Sequence, residues 1–159
     1  YWYYAKENCI YMHGAVKALG CSAMTITRAF RQLEKTGCFE TGKTGVQKYL
    51  KGKSSPDEIL YKLEPYLISP LADIIYLDKD VIKGGIIADT EEGKGYPSYA
   101  VNKKDFHYTG GHELLDAETQ SEIQLWKYDP AILAVNGHVD PLSLALSLKK
   151  PLFSFIKND

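Results

Sequence analysis

Cysteine is scarce in this sequence: three in 159 residues, Cys9, Cys21 and Cys38. An odd number without close Cys-Cys spacing excludes a disulfide framework or a zinc ribbon and predicts buried free thiols. Long apolar runs are also missing. None approaches the roughly 20 residues of a membrane-spanning helix, and no stretch has the charged, apolar and small-residue order of a signal peptide. The expected location is therefore cytoplasmic, with no membrane partner. Internal repeats and low-complexity tracts are absent as well. A length of 159 residues suffices for one ordinary domain or two small ones.

Catalytic constellations are equally sparse. No serine sits in a Gly-x-Ser-x-Gly elbow, and Ser143 and Ser147 fall in a Leu-rich alternation that reads as the edge of a strand or helix. His13 and His138 stand alone. His107 and His112, with Glu113 beside the latter, are separated by Thr109-Gly110-Gly111 instead of following one helical face, which predicts a solvated loop rather than a zinc site. One phosphate-binding pattern matches on paper, Gly37-Cys-Phe-Glu-Thr-Gly42-Lys43-Thr44. Its chemistry needs a loop that leaves a buried strand and enters a helix, so that backbone N–H groups face phosphate. Here a helical pattern precedes Gly37 and the β-prone Val46-Gln-Lys-Tyr-Leu50 follows, while Phe39 and Glu40 would crowd and repel a triphosphate. The expectation is no enzyme and no cofactor.

What the chain does have is an uneven charge. Residues 1–53 carry nine Lys/Arg against three acids, net +6, and residues 54–159 carry ten against seventeen, net −7. A basic third joined to an acidic remainder predicts an N-terminal module that meets a polyanion and a second part with another task.

The local patterns divide the chain similarly. Met12 to Leu19 reads as a short helix closed by Gly20. Ser22 can cap a second helix to about Lys35, whose Ala23, Ile26, Ala29, Phe30 and Leu33 recur at three- and four-residue steps. Gly37 ends it. Cys38 to Thr41 and Val46 to Lys51 then read as two short strands around Gly42-Lys43-Thr44-Gly45. Ser54-Ser55-Pro56 marks a boundary, giving a basic domain over 1–53 and an α+β domain over 54–159 for dimerisation, sensing or partner binding. Pro56-Asp57-Glu58 starts a helix in the latter. Beyond it lie candidate strands at Asp73 to Leu77, Gly85 to Ala88, Ser98 to Asn102, Glu122 to Tyr128 and Leu142 to Leu148. Most aromatic residues of this part, among them Tyr96, Tyr99, Phe106, Tyr108, Trp126 and Tyr128, should be core, with some free to line a ligand pocket or subunit interface.

The second helix carries the functional expectation. Its core stripe, centred on Ile26 and Leu33, leaves Met24, Arg28, Arg31 and Lys35 opposite, flanked by Thr25, Thr27 and Gln32, given about 100° per residue. Arg can pair with guanine O6 and N7, Gln with adenine N6 and N7, and Thr or Ser with phosphates or base edges. The sequence thus predicts base contacts by Arg28, Arg31 and Gln32. Phosphate contacts are predicted for Ser22, Thr25, Thr27, Lys35, Lys43 and Lys48.

Gly20-Cys-Ser-Ala-Met-Thr-Ile-Thr-Arg-Ala-Phe-Arg-Gln-Leu-Glu-Lys-Thr-Gly37 with its hairpin resembles the recognition segment of bacterial winged-helix regulators of the MarR-like type. The resemblance covers roughly residues 9–52, through Gly20, Ser22, Thr25, Thr27, Arg28, Leu33 and Gly37. It implies an α+β protein with an N-terminal winged helix-turn-helix, binding double-stranded DNA to regulate transcription. A homodimer is expected, because one short helix reads few base pairs. Through Gly84-Gly85-Ile-Ile-Ala-Asp and Glu122-Ile-Gln-Leu-Trp-Lys-Tyr-Asp-Pro130 the remainder more faintly resembles antitoxins of the AbiE type. The alternative expectation is accordingly an antitoxin-like interaction module that represses its own promoter. A protein partner or small-molecule effector would bind the second domain.

Overall fold

The computed structural model describes residues 9–82, 85–88 and 94–152. Within them the protein is mixed α+β, with four α-helices and two sheets. The chain divides into two compact units, Tyr1–Leu67 and Ile68–Asp159.

In the first unit, strand β1 (Cys9–Tyr11) runs straight into helix α1 (Met12–Leu19). Gly20 stops α1 by adopting φ +61, a left-handed conformation that a Cβ would strain. Helix α2 (Ala23–Lys35) starts one turn later, and the Ser22 hydroxyl caps it by accepting from the Thr25 N–H at 3.2 Å. Ile26 and Phe30 on its apolar stripe are buried and Leu33 packs beside them. Strands β2 (Phe39–Thr44) and β3 (Gln47–Gly52) form an antiparallel hairpin, and β1 pairs with the other edge of β3, giving the order β1-β3-β2. Helix α3 (Pro56–Leu63) follows, with proline in its first turn and the Ser55 hydroxyl accepting from the Glu58 N–H.

Two sequence expectations differ here. The first strand of the hairpin runs on to Thr44 and the turn is Gly45–Val46, so Gly42 and Lys43 belong to β2. Gly45 alone takes a positive φ, +60, at the first of two turn positions, as the favoured two-residue hairpin requires. The expected division after Lys53 is also displaced. Ile59 is buried with Ala15, Ile26, Phe30, Cys38, Phe39 and Leu50, and Leu63 packs on that cluster, so α3 completes the core of the first unit and the division falls at Leu67.

The second unit holds β4 (Leu71–Asp78), β5 (Ile86–Ile87), β6 (Ser98–Asn102), β7 (Gln120–Trp126) and α4 (Pro141–Leu148). The sheet order is β4-β7-β6-β5, antiparallel except for the β6–β7 pair. That parallel pair requires a long return, supplied by residues 103–119. Part of the return lies on the outer edge of β4, where Tyr76 N–H donates to the Gly111 carbonyl at 2.8 Å. A Cβ on Gly110 would stand 2.6 Å from the Tyr76 carbonyl oxygen, so glycine permits this approach. Strand alternation divides β7 between two cores: Ile123 and Leu125 pack with Ile75 and Leu77, and Trp126 with Ala88, Ala100, Val139 and Leu144.

Leu142 to Leu148, expected as a strand, is the helix α4. Leu142, Ser143, Leu144, Ala145 and Ser147 are all buried, so the run lacks the polar side that would have declared its period. Its caps decide the matter. Asp140 accepts from the Ser143 N–H at 2.8 Å and Pro141 occupies the first turn. The fourth expected strand shifts to Gln120–Trp126, and Gly84 and Asp89 of the fainter resemblance lie outside the described residues. Cys38 is buried, Cys9 and Cys21 are half-buried, and all three are free. Among the described residues no helix is long and apolar enough to cross a membrane.

Candidate functional site

A cavity of about 290 Å³ opens between α2 and the β2–β3 hairpin. Its lining combines the bodies of Met12, Phe30 and Tyr49 with Arg31, Lys43 and Lys48 and with the hydroxyl-bearing Thr27 and Thr41. Local sequence builds it. Gly42 pairs with Tyr49 across the hairpin, and a Cβ at Gly42 would fall where the Tyr49 ring lies. The next pair toward the tip is Lys43 with Lys48.

Glu34, on the last turn of α2, is not a free charge. Its Oε1 accepts from the Thr41 hydroxyl at 2.7 Å and from the Thr41 N–H at 3.3 Å, tying β2 to the last turn of α2. The cations are not so neutralised. Among the described residues, Arg28, Arg31, Lys35, Lys43 and Lys48 have no side-chain ion pair, the bridges being Lys62–Glu58, Lys94–Glu122 and His112–Asp73. Unpaired positive charge gathered on one helix and the adjoining hairpin attracts a polyanion.

The predicted residues divide three ways. Thr27, Arg31, Lys43 and Lys48 meet at the cavity. The Thr27 hydroxyl is already engaged, donating to the Ala23 carbonyl at 2.8 Å with Met12 Sδ 3.4 Å away. Arg28 and Lys35 are exposed on the outer face of α2. Ser22 and Thr25 stand at its N-terminus, hydroxyls 3.0 Å apart. Gln32 is exposed and lines a separate hollow of about 460 Å³ with Ala29, Leu33, Thr36, Leu63, Tyr66 and Leu67. Arg31 and Gln32 diverge because consecutive helix positions differ by about 100°. Sequence reasoning missed Met12, Thr41 and Tyr49. The two-residue turn at Gly45 sets the register, and from it the Gly42–Tyr49 pair could have been read.

The phosphate-motif match has the wrong shape: Gly37 is a turn with φ +75, Phe39–Thr44 is a strand, and the hairpin turn follows it instead of a helix. His112 is exposed, its Nδ1 3.0 Å from the Ile74 carbonyl oxygen and 3.6 Å from Asp73 Oδ1. Among the described residues no three His, Cys, Asp or Glu side chains gather as metal ligands.

The second unit buries polar groups that the sequence did not announce. Glu122, 4% exposed in the central strand β7, accepts from Ser98 Oγ at 3.2 Å and Gln124 Nε2 at 3.0 Å and pairs with Lys94 at 3.3 Å. Trp126 Nε1 donates onward to Gln124 Oε1 at 3.1 Å. Tyr128, 37% exposed as a residue, lies edge-on against Trp126 with its hydroxyl part-buried, 2.5 Å from Ser143 Oγ. Burial pushes the Tyr128 phenol up to about 12; the Ser143 hydrogen bond opposes this shift and the Asp140 charge adds to it. Phe106 and Tyr108 help line a cavity of about 510 Å³ with Val81, Ile82 and Val101.

No protein-family model, curated protein or solved structure matches the chain. The chemistry of these sites is therefore the ground for a functional reading.

Proposed function

We propose that the first unit is a winged helix-turn-helix and that the protein is a sequence-specific regulator of transcription binding double-stranded DNA. The observation that carries this reading is the set of five unpaired cations, Arg28, Arg31, Lys35, Lys43 and Lys48, on α2 and the hairpin beside it. Helix α2 enters the major groove with Arg28 toward base edges. Arg31, Lys43 and Lys48 close on a backbone phosphate at the cavity, and Lys35 holds another. Gln32, exposed and one turn beyond Arg28 on α2, stands with it as a second base-reading side chain. Two copies engage a palindromic site, and the second unit serves dimerisation or effector binding.

Titration against random genomic duplexes at several salt concentrations, with sequencing of the bound fraction, tests the proposal. The expected result is an enriched palindrome and an affinity whose logarithm falls linearly with the logarithm of salt, by about 0.9 per phosphate neutralised. Salt-insensitive binding, or binding without an enriched sequence, would overturn it.

A further inference from the structure

We infer that Met24 is a specificity-determining residue of α2 and that it takes the C5-methyl group of a thymine in the major groove. The inference rests on the DNA-binding reading above. Met24, Arg28, Arg31 and Lys35 follow one another at steps of four, three and four, forming one row on the side of α2 opposite the buried Ile26 and Phe30.

Three members of that row are cations and the fourth is a thioether left 65% exposed. A methionine held in water forgoes the burial that would stabilise it. The cations beside it single out a polyanion, and not an apolar protein surface, as the covering partner. Position narrows this further. Met24 is the second residue of α2, whose first turn contains no acid, and the N-terminal residues of a recognition helix are those that reach base edges. The thymine methyl is the apolar feature of the major-groove edges. An unbranched, polarisable side chain can settle on it without strain.

Replacing thymine by deoxyuridine removes that methyl and leaves every base hydrogen bond in place. The duplex enriched by the full-length protein would be substituted one thymine at a time and titrated with wild type, Met24→Ala and Arg28→Ala. The expected result is a loss of about fourfold for wild type at one or two thymines per half-site, of the size of one buried methyl. Met24→Ala would be indifferent to those same substitutions, and Arg28→Ala would stay sensitive to them. An exposed position predicts unchanged melting temperature for Met24→Ala, so misfolding is separately visible. Indifference of wild type to every deoxyuridine, or full sensitivity retained by Met24→Ala, overturns the inference while salt-dependent duplex binding leaves the broader reading standing. Absence of duplex binding by wild type removes both.

Discussion

Lys43 and Lys48 stand directly opposite each other across the β2–β3 hairpin and line the same cavity as Arg31. Like charges at opposed strand positions repel, and the free protein carries that cost. Lys43→Ala or Lys48→Ala should therefore leave the melting temperature unchanged or slightly higher. The same variants should weaken duplex binding and flatten its salt slope by about one. Calorimetry and salt-dependent titration read the two effects separately, and a fall in both stability and affinity would show that the lysines support the hairpin itself.

Gly42 and Tyr49 form a second coupled pair. Gly42→Ala places a methyl where the Tyr49 ring lies, and such overpacking typically costs about 1 to 3 kcal/mol. Tyr49→Ala removes the obstacle. The double variant should lose less stability in urea unfolding than the two single losses together, whereas simple additivity would mean that the ring moves aside freely.

Glu122 is the hub of the buried polar row on β7. Glu122→Ala leaves Ser98, Gln124 and Lys94 without this acceptor, and breaking a buried pair from one side costs about 3 kcal/mol. Urea unfolding followed by tryptophan emission suits the test, because Trp126 hydrogen-bonds to Gln124 in the same row. A cost below about 1 kcal/mol would mean that water replaces the carboxylate there.

Tyr128 provides a pH signature. Burial raises its phenol to about 12 from the ordinary 10.0. A phenol whose pKa is raised on folding holds its proton more tightly in the native state. The stability this contributes is fully present below pH 10 and is lost as pH rises from about 10 through 12. In absorbance titration, Tyr128→Phe should remove a late-ionising tyrosine, and Ser143→Ala should delay that ionisation further, since the Ser143 hydrogen bond lowers the pKa. Loss of an early-ionising tyrosine in Tyr128→Phe would contradict the raised pKa.

The features legible in the sequence are those with short-range causes. Ser22, Pro56 and Gly20 mark helix ends because a capping hydroxyl, a fixed φ or a missing Cβ acts within one turn of chain. The spacing of Ile26, Phe30 and Leu33 declared α2, and with it the exposed row of Arg28, Arg31 and Lys35. Leu142–Leu148 is a helix where the sequence suggests a strand, because a segment buried on nearly every side has no polar phase to reveal its period.

Amino-acid order alone thus determined where α1 and α2 begin and end, that a hairpin follows α2, and that the chain's basic residues outnumber its acids in the N-terminal third. Tertiary structure alone decided that α3 completes the first core through Ile59, and that Arg31 joins Lys43 and Lys48 while Gln32 lines a separate hollow with Tyr66. It likewise buried Glu122 among Ser98, Gln124 and Lys94. The physical reason is range. Caps and turns are set by neighbours along the chain, whereas a shared cavity, a completed core or a satisfied buried carboxylate depends on residues that meet only after the sheets have paired.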